Sequence, residues 1–187
     1  TLSSSAAFKR AIAIENSIGT ITSNQIAAHT QDLWARYTVG AGKTFTVSDN
    51  WFFGKLQFQL TSSNGHAQTI VEGNRFDASK VLAAGSWGNG SEALSLRIDG
   101  ASGSTPTLVR NNEFVNFAGA YRALWVASRD KVTITGNTFT PSAGQSDFTA
   151  IVVGNREVWN GLPGPRPFDV TITGNTFNAN GAIAGNK

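Results

Sequence analysis

The chain has 187 residues, of which 14% are charged, with 15 basic and 12 acidic side chains giving a net charge of +3. It contains no cysteine, which excludes disulfide frameworks, thiolate zinc sites, iron–sulfur clusters and cysteine nucleophiles. The length is that of one domain; no apolar run reaches the ~20 residues of a membrane span, and the scattered basic residues give nucleic acid no footprint.

Two further absences shape the expectations. With only His29 and His66, a histidine-rich metal site is excluded, and each histidine reads as a loop or surface residue. The lack of methionine predicts a chain processed or excised from a precursor. The uncharged polar composition (charge well below the ~25% of ordinary domains) suits an exported protein, extracellular or at a cell surface, with any signal peptide already removed.

In chain order, residues 1–10 (T-L-S-S-S-A-A-F-K-R) read as an N-terminal cap or the end of a preceding coil, and residues 11–187 as a repeat. Short apolar segments begin near Ala11, Leu33, Leu56, Ala93, Ala123 and Ala150. They are too short for helices and alternate as half-buried strands do. Each is followed by a copy of one motif. V-T-I-T-G-N-T-F occurs identically from Val132 and from Val170, with looser copies from Thr20, Phe45, Thr69 and Thr107. Aligned, the copies share an asparagine (Asn24, Asn50, Asn74, Asn112, Asn137, Asn175) and, two residues on, an apolar residue (Ile26, Phe52, Phe76, Phe114, Phe139, Phe177). The asparagine spacings of 26, 24, 38, 25 and 38 describe a short unit with two insertions, near 77–92 and 155–168. Variable loops on a fixed short unit predict a solenoid whose turns stack.

The repeated I-x-x-N-x-F core with an asparagine at the bend resembles the right-handed parallel β-helix of the pectate-lyase-like superfamily, including β-helical bacterial cell-surface proteins. The resemblance covers residues ~11–187. It implies an all-β, single-stranded right-handed solenoid of about six coils, with internal asparagine and phenylalanine ladders. Each asparagine amide would bond to the next coil and to local backbone, satisfying a tight buried bend.

Alternation places Thr20, Thr46, Ile70, Leu108, Thr133 and Thr171 in one outward column and Thr22, Ser48, Glu72, Arg110, Thr135 and Thr173 in another. Glu72 is expected beside Arg110, and Arg75 beside Glu113, as register pins. On the first strand of each coil the expected outward columns are Ala13, Trp34, Gln57, Ser95, Trp125, Val152 and Glu15, Arg36, Gln59, Arg97, Ala127, Gly154. The superfamily's enzymes bind sugars on this face. The resemblance therefore implies a shallow saccharide groove lined by Trp34, Arg36, Gln57, Gln59, Arg97, Trp125 and Arg129. The alternative is that the two insertions, which carry Trp87 and Trp159, fold over the face and cover the tryptophans.

Catalytic signals are missing. The N-T-D, D-D, G-H-G and R-I-K segments of the β-helical polygalacturonases are absent, as is the clustered calcium-binding acid set of the β-helical lyases. The nearest catalytic grouping is Asp99 with Arg97 and Arg129, and no catalytic residue, cofactor or metal site is assigned; structural calcium has no motif. Gly40–Thr44 (G-A-G-K-T) superficially resembles a phosphate loop, but its first glycine is misplaced and no helix is expected after it. The terminal G-A-I-A-G-N-K reads as a seventh first strand cut short.

The expected function is a non-enzymatic extracellular structural or adhesive module, part of a larger surface or self-assembling protein. Its partners would be copies of itself or a surface polysaccharide. The alternatives are a polysaccharide-binding or polysaccharide-degrading protein and a phage tailspike-type fibre segment.

Overall fold

Short strands cannot hold themselves; each needs a neighbour on both sides to satisfy its amides. In the computed structural model the chain achieves this by returning to the same place with every third strand. The structure describes residues 10–15, 17–26, 31–36, 42–53, 55–60, 68–80, 94–100, 106–117, 122–126, 131–144, 148–154, 158–159, 162–163 and 169–178. The first sheet is formed by Arg10–Glu15, Gln31–Arg36, Lys55–Leu60, Leu94–Gly100, Arg122–Val126 and Thr149–Val153. The second contains Thr20–Thr22, Thr44–Ser48, Gln68–Glu72, Thr107–Arg110, Val132–Thr135 and Thr171–Thr173. The third contains Gln25–Ile26, Trp51–Phe52, Arg75–Asp77, Glu113–Phe117, Thr138–Pro141 and Thr176–Phe177. All three sheets are parallel, and each adds its strands in sequence order. Among the described residues the only helix is a single 3-10 turn, Ala78–Lys80. The protein is thus all-β, with an arrangement compatible with a parallel β-helix.

The bend between the second and third sheets follows from two adjacent residues. The residue before each ladder asparagine is left-handed: Ser23, Asp49, Gly73, Asn111, Gly136 and Gly174 have φ of 58°, 55°, 63°, 54°, 65° and 61°. This turns the strand out of its sheet at a position that glycine, asparagine and aspartate tolerate best. The asparagine then satisfies the groups the turn would orphan. Asn74 donates from its backbone N–H and its Nδ2 to Oδ1 of Asn112, both at 3.0 Å. Nδ2 also donates to the carbonyls of Glu72 (3.0 Å) and of Val47 on the preceding strand (2.9 Å). The same pattern runs from Asn24 through Asn50, Asn74, Asn112 and Asn137 to Asn175 without a break. Buried amides this fully bonded carry no desolvation penalty.

Inside the bend the phenylalanines stack. Ring centroids are 5.3 Å apart for Phe52–Phe76, 4.7 Å for Phe76–Phe114, 4.8 Å for Phe114–Phe139 and 5.2 Å for Phe139–Phe177. These distances lie close to the ~4.8 Å spacing between hydrogen-bonded strands, so backbone pairing and aromatic packing share one period. Leu33, Leu96, Ile98, Leu124, Val126, Val47, Val71, Val109 and Ile134 complete one continuous core.

One core column departs from this apolar rule. In the second sheet Phe45, Thr69, Thr107 and Val132 lie in register, and Thr69 and Thr107 are fully buried. Among the described residues their hydroxyls find no hydrogen-bond partner. Thr69→Val and Thr107→Val, which exchange hydroxyl for methyl, are expected to stabilise the fold by about 1 kcal/mol each. Urea titration checks this, and a loss of stability would show that the hydroxyls are bonded in solution.

The first sheet corrects the expected register by two residues in its fourth strand. Arg97, not Ser95, pairs with Gln57 on one side and Trp125 on the other, while Asp99 pairs with Gln59. A two-residue slip leaves every side chain on the same face, so alternation cannot detect it. The observed pairing places Leu96 beside Leu56 and Leu124, and Ile98 beside Phe58 and Val126, with Leu96, Ile98, Leu124 and Val126 all in the core. The second insertion also contains a short antiparallel pair, Val158–Trp159 with Leu162–Pro163.

Candidate functional site

The first sheet brings Trp34, Gln57, Arg97 and Trp125 into one column on adjacent strands. Arg36 and Gln59 are paired one step along. Side chains of Arg36, Gln57, Gln59 and Asp99, and all of Arg129, lie outside the described residues, as do Trp87 and the side chain of Trp159. Trp125 points away from the main core and forms a small second cluster with Val152. The Arg97 guanidinium lies 4.4 Å from its ring centroid and that of Arg122 5.4 Å. The indole Nε1 donates to the Gly154 carbonyl at 2.7 Å. A saccharide groove needs an open aromatic face, yet Trp125 is 1% and Trp34 6% exposed. As placed, this cluster ties three strands together by cation–π contact and one hydrogen bond.

The expected charge pairs form on the neighbouring sheets. Arg110 Nε meets Glu72 Oε2 at 2.7 Å, and Arg75 Nη1 meets Glu113 Oε2 at 2.7 Å. All four side chains are substantially exposed, so each pair contributes well under ~1 kcal/mol and acts on register rather than stability.

Asp77, where the first insertion begins, is a buried carboxylate. Its Oδ1 accepts from the Ser79 backbone N–H at 3.0 Å and from Asn116 Nδ2 at 2.8 Å, while Arg75 Nη2 lies 3.9 Å from Oδ2. Burial by itself pushes this acid up. The bonds from Asn116 and Ser79, together with the Arg75 charge, outweigh it and hold the carboxyl below the ordinary value of 3.8. A depressed folded value means that the stabilisation is complete above pH 3.8 and disappears as the pH falls through the folded value. Asp77→Asn is therefore expected to flatten the acid limb of a melting-temperature profile. An unchanged acid limb would remove Asp77 from the acid transition.

Sequence reasoning passed over Trp51. It follows Asn50 in an outward column whose other members are Gln25, Arg75, Glu113, Thr138 and Thr176. The signal was there: it is the single aromatic among polar residues. Trp51 is 39% exposed and borders an open cleft of about 440 Å3 at the bend, with Ser23, Gln25, Asp49, Gly73 and Arg75 among the lining residues. The Asp49 carboxylate lies over Gly73, with Oδ1 2.5 Å from where a Cβ would stand. Gly73 is thus required twice, for its φ and for this space.

Among the described residues, no group of three or more His, Asp or Glu side chains could hold a metal ion, and no helix is long and apolar enough to cross a membrane. Lys43 and Thr44 run into a strand, not the helix a phosphate loop requires. Comparison with protein families, curated proteins and solved structures finds no match to this chain.

Proposed function

We propose that the chain is a right-handed parallel β-helix of six coils that serves as a non-enzymatic structural or adhesive module at an extracellular surface, assembling through the apolar face of its last coil. The strong preference of parallel crossover connections supports the right-handed reading, and the six strands in each sheet support six coils. The uncharged polar composition supports an exported setting, and the unbroken amide and aromatic ladders suit a rigid spacer.

One observation carries the assembly reading. Val153, Ile172 and Phe177, on the last strand of each sheet, are 43%, 46% and 57% exposed. Their in-register neighbours Val126, Ile134 and Phe139 are at most 1% exposed. At the other end Ile21 and Ile26, in the same columns, are each only 7% exposed. Among the described residues Val153, Ile172 and Phe177 form a concentrated apolar patch, and such a patch on parallel strand edges is a docking surface.

Light scattering on a size-exclusion column, with and without calcium, tests this. Self-association of the wild type that is lost in an Ile172→Ser/Phe177→Ser variant is the expected result. A wild type that stays monomeric under both conditions overturns the assembly reading.

A further inference from the structure

We propose that the cleft at the bend beside Trp51 binds a neutral saccharide, with one sugar ring stacked on the exposed indole. The exposure of Trp51 has no edge explanation. Among the described residues the other exposed large apolar side chains, Val153, Ile172 and Phe177, all belong to last strands. Trp51 is flanked on both sides, by Gln25 and by Arg75, so no further strand would cover it.

The ring is also held in place. Phe53 supports it at 4.7 Å between centroids with a 32° tilt, and the Arg75 guanidinium lies 5.7 Å from the ring centre. A fixed, partly open indole is a preorganised platform, which reduces the ordering cost of binding. The depression is shallow and open, a shape that admits a sugar stacked on the ring and leaves the rest of a chain in solvent.

The polar lining selects the ligand class. The Asp49 carboxylate sits at a left-handed position with φ of 55° and accepts no hydrogen bond from any described residue. It can accept from donors such as adjacent sugar hydroxyls. Gln25 and Ser23 add an amide and a hydroxyl on the neighbouring strand. Arg75, the cationic lining group, already donates to Glu113 and lies beside Asp77. The local field therefore gives no attraction to an anionic chain, and Asp49 opposes one. An apolar ring face, hydroxyl donors and no charge together describe a neutral sugar.

The test follows the indole N–H signals of the five tryptophans in a 1H–15N spectrum of the full chain, with Trp51→Phe assigning the Trp51 signal. The probes are maltohexaose, cellohexaose and chitohexaose, with hexagalacturonate as the anionic control. The expected result is a saturable shift of the Trp51 signal with at least one neutral hexamer. Affinity should fall by about tenfold or more in Trp51→Ala, as for an aromatic anchor, and less in Asp49→Asn. Both side chains are exposed, and circular dichroism establishes that the variants are folded. The proposal is overturned if no neutral hexamer moves that signal, if binding survives Trp51→Ala, or if hexagalacturonate binds more tightly than the neutral sugars.

Discussion

Asn112→Asp is expected to leave the chain unfolded at neutral pH. In the native structure Asn112 Nδ2 donates to the carbonyls of Val71 (2.9 Å) and Arg110 (3.0 Å) and to Asn137 Oδ1 (2.9 Å). A carboxylate would turn this donor into a charge facing three acceptors, at a position 1% exposed. Each buried acceptor left without its donor costs about 1–3 kcal/mol, before the added repulsion. The sum reaches the ~5–15 kcal/mol that a whole domain commands. The sign with pH is a further check. Protonation restores one donor, so the folded-state acid is raised, and stability should be present at low pH and lost as the pH rises through that raised value. Far-UV circular dichroism melts across pH would show this. Asn24→Asp, at the first of these bends and exposed, should be much milder. An Asn112→Asp protein melting within a few degrees of wild type would mean that the ladder is ornamental.

The second large effect is expected for Phe114→Ala. Phe114 is fully buried, with Phe76 4.7 Å on one side and Phe139 4.8 Å on the other, each tilted by only 8°. Truncation removes the transfer energy of the ring and leaves a cavity that rigid neighbouring strands cannot close, at a cost of about 3–5 kcal/mol. Two stacking contacts are lost as well, each worth about 0.5–1.5 kcal/mol. Urea unfolding should show a lower midpoint with an unchanged slope, the mark of a stability change without a change in the unfolded state. Phe177→Ala, in the same column but 57% exposed, should cost far less. Equal losses at the two sites would contradict the burial difference between them.

These two columns were the most legible part of the sequence, and for one reason. Both recur in every copy, so insertions elsewhere cannot hide them, and each names its own spatial neighbour. The left-handed residue before each asparagine was legible in principle, because Ser, Asp, Gly, Asn, Gly and Gly are what such a bend tolerates. The first sheet was harder. Alternation in A-L-S-L-R-I assigns faces but is blind to a two-residue slip, so it cannot distinguish Arg97 beside Gln59 from the observed pairing with Gln57 and Trp125. Alternation also says that Trp34 and Trp125 point outward without saying what lies above them, and burial at 6% and 1% is a tertiary fact. Trp51 shows the converse. A search built on what the copies share passes over the one copy that differs.

The two identical octapeptides have a genetic consequence. Residues from Val132 and from Val170 stack in register, Thr133 on Thr171, Ile134 on Ile172 and Phe139 on Phe177, 38 positions apart. Recombination between the two stretches would remove or duplicate that interval and leave every junction residue as it was. Because each turn bonds only to its neighbours, such an event changes the length of the rod and not its pattern.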